Sequence, residues 1–349
     1  MPCLEYLRLP AGVLMEGWSP ALPIYQAPRL CHLEINSAQT MSPHLPRDFG
    51  SPVFQQFPWT QITTFELSKL HVLDLWKLLD RCNHLSELTV CEVECSNSSL
   101  LSSNLAASRH YLDLVNRQEP ITLPCLSSID IQFEYSVELD CGLTVLFSKL
   151  TAPALRHLTV SISDPPNGKI QEPRMTWPLD VFNSFVARST VHNSGLFTLS
   201  SLCIKLPITA FNLLSVLDCL SCLTELEITE HSDAYTPDSE ERLICDEFLY
   251  GLCISQTNVG PLFGAELRLP RLLHLCLRMG CRRATFTTEA LHEMVRSRWI
   301  PDPTCASALG VACLHSIKVV GDGREGEQAL GYEPLRELER LGLQVEIIP

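Results

Sequence analysis

The octapeptide Pro270-Arg-Leu-Leu-His-Leu-Cys-Leu277 carries apolar residues at Leu272, Leu275 and Leu277, a spacing of three and then two. The last two alternate with the period of a β-strand, so Leu275 and Leu277 share one face while His274, Cys276 and Arg278 take the other. Leu272 enters from the preceding turn. Moving outward, the same P-x-L-x-x-L-x-L form, with Ile or Val at some of its apolar positions, occupies residues 2–9, 28–35, 124–131 and 153–160. Copies without the proline centre on Ile62, Phe65 and Leu67; on Leu85, Leu88 and Val90; and on Leu199, Leu202 and Ile204. Two more use Leu223, Leu226 and Ile228, and Leu314, Ile317 and Val319, which makes ten copies.

Leading residues of successive copies stand between 23 and 49 residues apart. The short separations match the roughly 20 to 29 residues of a leucine-rich repeat, and the long ones hold a repeat plus an inserted loop. Helical stripes fall between the strands: Val72, Leu75, Trp76 and Leu79, then Leu143, Leu146, Phe147 and Leu150. Phe182, Phe185 and Val186 follow, then Leu213, Leu214, Leu217 and Leu220, and Phe248, Leu249 and Leu252. Leu291, Met294, Val295 and Trp299 line a helix expected to be capped by Thr287, with Phe286 and Leu291 as a hydrophobic staple. Leu335, Leu338 and Leu341 make the last stripe. The expected fold is therefore α/β, a leucine-rich-repeat solenoid forming a ribonuclease-inhibitor-like arc with parallel strands on the concave face and helices on the convex face. Residues 1–349 read as a single irregular array of about ten repeats. Pro-rich or polar insertion loops are expected near 37–58, 163–177 and 229–242, because the motif resumes after each.

Composition bounds the function. With 26 Lys+Arg against 40 Asp+Glu the net charge is -14, which repels a phosphate backbone and argues against nucleic acid as a partner. The first residues, MPCLEYLRLP, lack an apolar stretch of signal-peptide length, and no run of about 18 apolar residues occurs, so no membrane partner is expected. Sixteen cysteines without a secretory signal point to a reducing compartment, cytoplasmic or nuclear. Cys31, Cys125, Cys203, Cys222, Cys276 and Cys313 lie in or beside the motifs and are expected to pack as small hydrophobes. Cys219-Leu-Ser-Cys222 offers half of a zinc site, but no second CxxC or HxxxH supplies the other half, so no metal is expected.

The motif closest to chemistry is Gly321-Asp-Gly-Arg-Glu-Gly326, a GxGxxG after one strand, with a second strand over residues 343–348 carrying Glu346 about twenty residues on. It supports an alternative reading as a nucleotide-binding enzyme. Against it, Asp322 and Glu325 would face the pyrophosphate, and a dinucleotide fold needs further parallel strands beyond residue 349. A glycine-rich turn before the terminal repeat accounts for the motif. No GxSxG, HExxH or GxxxxGK[ST] occurs, so no catalytic residue and no cofactor are expected.

The strand residues that alternate with the buried ones would project from the open sheet face, where such arrays bind proteins. Candidate partner-binding residues there are His32, Glu34, Glu66, Glu87, Asp130, His157, Lys205, Glu225, Glu227, His274, Arg278 and Lys318, with Arg282 and Arg283 just beyond a strand. Residues 225–247 hold nine acidic side chains against Arg242, and residues 268–298 hold seven arginines against Glu289 and Glu293. That run reads either as a solvated, self-neutralising surface or as a bipolar patch orienting a protein ligand.

The repeats, the segment Phe286-Thr-Thr-Glu-Ala-Leu-His-Glu-Met-Val-Arg-Ser-Arg-Trp299-Ile-Pro301 and the closing Leu341-Gly-Leu-Gln-Val-Glu-Ile-Ile348 resemble the repeat region of fungal, basidiomycete-type F-box proteins with leucine-rich repeats. The resemblance covers nearly the whole chain and implies the substrate-recognition part of an SCF-type ubiquitin ligase. It implies a protein ligand held by the repeats. No LPxEI-like F-box segment is present in these residues, so the ligase adaptor is expected as a partner only where an F-box lies upstream. The remaining alternative is a fragment without independent role.

Overall fold

In a computed structural model, the described residues are 3–10, 27–36, 56–94, 119–134, 139–163, 177–191, 196–230, 242–254, 267–280, 286–321 and 332–348. They fall into two compact units, one of residues 1–164 and 180–197, the other of residues 165–179 and 198–349. Each is a parallel β-sheet flanked by helices, an α/β fold.

In the first unit the strands are β1 Tyr6–Pro10, β2 His32–Asn36, β3 Thr64–His71, β4 Glu87–Glu94, β6 Ser128–Phe133 and β8 His157–Ile162. They pair in that order, all parallel. Register follows the repeat motif: Leu33, Phe65, Leu88, Ile129 and Leu158 align across the sheet, each no more than 1% exposed. The entering residues Leu30, Ile62, Leu85, Leu126 and Leu155 are fully buried. A two-stranded parallel pair, β5 Ile121–Thr122 with β7 Leu150–Thr151, has no counterpart in the sequence reading, and it takes Leu150 out of the helical stripe.

Helices α1 Val72–Leu79, α2 Leu139–Lys149 and α3 Leu179–Val191 bury Leu75, Trp76, Leu79, Leu143, Leu146, Phe147, Phe182 and Phe185 of the stripes the spacing marked, while Val186 is half-buried. Arg188 on α3 donates to the carbonyl oxygens of Phe147 and Leu150, capping the end of α2. One residue after the entering apolar position of three of these repeats, a hydroxyl binds the neighbouring repeat: Thr63 Oγ1 donates to Cys31 O at 3.3 Å, Ser86 Oγ to Thr63 O at 2.9 Å and Ser127 Oγ to Ser86 O at 3.0 Å.

The second unit has β9 Ser201–Lys205, β10 Glu225–Thr229, β11 His274–Arg278, β12 Ser316–Val320 and β13 Gln344–Ile348, paired in sequence order and parallel. The hydroxyl position recurs, Thr224 Oγ1 donating to Ser200 O at 2.9 Å. Its helices are α4 Ala210–Leu217, α5 Asp246–Leu252, α6 Thr288–Arg298, α7 Pro303–Leu309 and α8 Glu333–Arg340.

Thr287 caps α6 by accepting from the Ala290 amide at 3.2 Å, and Phe286 and Leu291 are both buried. Trp299 sits at the C-cap of α6, outside the helix in which the spacing placed it. Leu341 is 67% exposed and Leu343 is buried in its stead, because the chain turns at Gly342, whose φ is +116°, before β13 begins. The expected insertion loops lie mostly outside the described residues, at 37–55, 164–176 and 231–241.

Candidate functional site

Alternation sets the site. With each motif's second and third apolar residues turned into the core, the residues between them form in-register rows on the opposite face. In the first unit one row runs His32, Thr64, Glu87, Ser128, His157, and the next runs Arg8, Glu34, Glu66, Thr89, Asp130, Thr159. Six of the candidate residues, His32, Glu34, Glu66, Glu87, Asp130 and His157, therefore share this sheet face.

Glu34 gathers the donors there: it accepts from the Tyr6 hydroxyl and from Asn36 Nδ2 at 2.9 Å, and Arg8 Nε lies 3.2 Å away. The Tyr6 hydrogen bond and the other donors hold its carboxyl below the usual range. The Tyr6 ring meets His32 edge-on at 4.7 Å. His32 Nε2 comes within 3.4 Å of Glu66 Oε1, ion-pair distance without hydrogen-bond geometry, and that buried nitrogen has no hydrogen-bond partner among the described residues.

In the second unit the rows are Ser201, Glu225, His274, Ser316, Gln344 and Cys203, Glu227, Cys276, Lys318, Glu346. These ten residues line a groove of about 480 Å³ across β9 to β13. Small side chains at Ser201, Cys203, Cys276 and Ser316 leave its depth, while longer ones rise between them. Two ion pairs hold the longer chains: Arg278 Nε to Glu227 Oε1 and Lys318 Nζ to Glu346 Oε2, each at 2.8 Å. His274 Nδ1 lies 2.8 Å from Ser316 Oγ. Of the candidate residues, Glu225, Glu227, His274 and Lys318 line the groove; Lys205 and Arg278 stand on the same strands outside it.

Sequence reasoning missed Gln344 and Glu346, whose strand it had assigned to the GxGxxG alternative. The signal was present, since Gln344-Val-Glu-Ile-Ile348 has the same period of two. Glu346, the expected ribose ligand of that alternative, is bound to Lys318. Residues 322–326 of the glycine motif, and Arg282 and Arg283, lie outside the described residues.

Three of the described arginines of the run have separate surroundings. Arg298 is 1% exposed with its guanidinium on backbone carbonyls, Arg268 grips Asp218 at 2.6 Å, and Arg278 belongs to the sheet face. The motif cysteines are also less buried than expected: Cys125 is exposed, and Cys31, Cys203, Cys222, Cys276 and Cys313 are half-buried, because several occupy open-face or turn positions. Thirteen of the cysteines in the described segments, Cys82 and Cys125 among them, are free thiols.

Among the described residues no group of three or more His, Cys, Asp or Glu side chains is placed to hold a metal ion, and no helix is long and apolar enough to cross a membrane. Compared with protein-family models and with curated proteins, the chain matches none.

Proposed function

We propose that this chain is a leucine-rich-repeat array that binds another protein without catalysing a reaction, in the manner of the substrate-recognition region of an F-box protein. The observation that carries the reading is the groove across β9 to β13, whose lining comes from five consecutive strands through side chains at equivalent motif positions. A surface built by repetition suits an extended macromolecular ligand better than a small molecule, which needs a deep, mostly apolar cleft. The rest of the proposal, recruitment to a ubiquitin ligase in the cytoplasm or nucleus, rests on the resemblance and requires an F-box upstream of these residues.

Blocking the groove tests the reading. Ser316→Trp and Ser201→Trp each place an indole among the residues that line the groove. Affinity capture from the source cell extract, quantified by mass spectrometry, is expected to lose with both variants a partner that the unaltered protein retains. A partner set unchanged by both substitutions would remove the groove as the binding surface.

A further inference from the structure

We infer that the occupant of the β9–β13 groove is an extended protein segment carrying one lysine or arginine side chain that seats on Glu225. The inference rests on the proposed docking role and adds the chemistry of the partner. Three carboxylates line the groove, and two are already neutralised from within: Glu227 by Arg278 and Glu346 by Lys318, both at 2.8 Å. Glu225 is the third. It is exposed, it has no ion-pair partner among the described residues, and its row neighbours are Ser201 and His274.

Lys318 is paired with Glu346 through Nζ, and the ring contact of His274 that fixes it in the groove is from Nδ1 to Ser316 rather than to Glu225. A segment covering the groove withdraws Glu225 from water, and a desolvated carboxylate without a cation is strongly unfavourable. A neutral or acidic occupant would incur that penalty in full. A basic side chain removes it and gains a charge-assisted hydrogen bond. Geometry also sets the length of the occupant: five strands spaced about 4.8 Å apart span roughly 19 Å, the reach of about six extended residues. The small residues Ser201, Cys203, Cys276 and Ser316 leave space for its backbone.

Panning twelve-residue phage-displayed random peptides against the full chain supplies the probe. Peptides whose binding is lost with Ser316→Trp and with Ser201→Trp are expected to share a Lys or Arg at one position. Measured by fluorescence anisotropy as synthetic peptides, they are expected to bind Glu225→Gln about tenfold more weakly and Glu225→Lys more weakly still. Replacing that basic residue of the peptide with norleucine should make it indifferent to Glu225→Gln. Groove-dependent peptides with no basic preference and full affinity for Glu225→Gln overturn the inference and leave the docking role standing. Peptides insensitive to both tryptophan variants overturn the docking role and the inference with it.

Discussion

Arg298, at the end of α6, donates from Nε to the carbonyl oxygen of Leu252, the last residue of α5, at 2.6 Å. Its Nη1 and Nη2 reach the carbonyls of Leu269 and Arg268 at 3.0 and 2.7 Å. Burial pulls the guanidinium down to about 10, yet three fixed acceptors hold it in place. Arg298→Met leaves those carbonyls without a donor and is expected to lower unfolding stability by about 3 kcal/mol. Arg298→Lys keeps a charge without the planar fork and should recover less than half of that. Urea unfolding of the three proteins gives the comparison; equal stability would make the contact incidental.

Gly321 has φ +73°, and a Cβ there would meet the Met279 carbonyl oxygen at 2.8 Å. The close approach lets its amide bind Ile348 O at 2.7 Å while the Met279 amide binds Val320 O at 2.9 Å. Gly321→Ala is expected to cost about 2 kcal/mol through strain and the displaced strand ends. The shift of the denaturation midpoint reads this directly, and a change below 0.5 kcal/mol, roughly the scatter of surface substitutions, counts against it.

Glu230 is 3% exposed; Oε1 accepts from the Ile244 amide at 2.7 Å, and Oε2 is buried without a close hydrogen-bond partner among the described residues. Burial raises its pKa above the ordinary 4.5, against the opposing pull of the Ile244 amide, Arg242 and the Leu243 amide. A carboxyl raised in the folded state contributes stability below its unfolded pKa and loses it as pH climbs through the folded value. Glu230→Gln does not ionise, so its stability relative to the unaltered protein should improve from pH 4.5 upward and level off above the folded value. Chemical denaturation across that range follows the difference, and a flat difference would mean the carboxyl is solvated.

Cys82 is fully buried and desolvation pushes its thiol up to about 12, whereas Cys125 is exposed. Thiolate is the reactive form, so at mildly alkaline pH iodoacetamide should modify Cys125 in the native protein and reach Cys82 only after denaturation. Peptide mass spectrometry with and without denaturant distinguishes the two. Native alkylation of Cys82 would show that the α1 to β4 turn opens readily.

The polar residues that shape the two faces were the least legible part of the site. His32, Glu87 and Glu225 could be placed on the open face because strand alternation assigns them, but nothing local reveals which carboxylate a cation will reach. Arg278 bridges to Glu227, fifty-one positions earlier in the chain, and Lys318 to Glu346, twenty-eight positions later. The hydroxyls of Ser86, Ser127 and Thr224 likewise find their acceptors only through the stacking of strands.

What the sequence determined by itself is the fold's arithmetic. A three-then-two spacing of apolar residues predicts a buried wedge and a half-buried strand, and Leu272, Leu275 and Leu277 are all at most 1% exposed. Solvent exclusion acts on each residue locally, so periodicity suffices to read it. Only the tertiary structure decided where Arg298 and Leu341 go: a guanidinium can be buried when neighbouring helix and strand ends supply carbonyls, and a leucine is left in water when the next turn needs its backbone. The same holds for the groove, because its depth comes from four small side chains on three different strands, Ser201 and Cys203 on β9, Cys276 on β11 and Ser316 on β12. Parallel pairing aligns them, and it is a property of the assembled sheet that no single repeat contains.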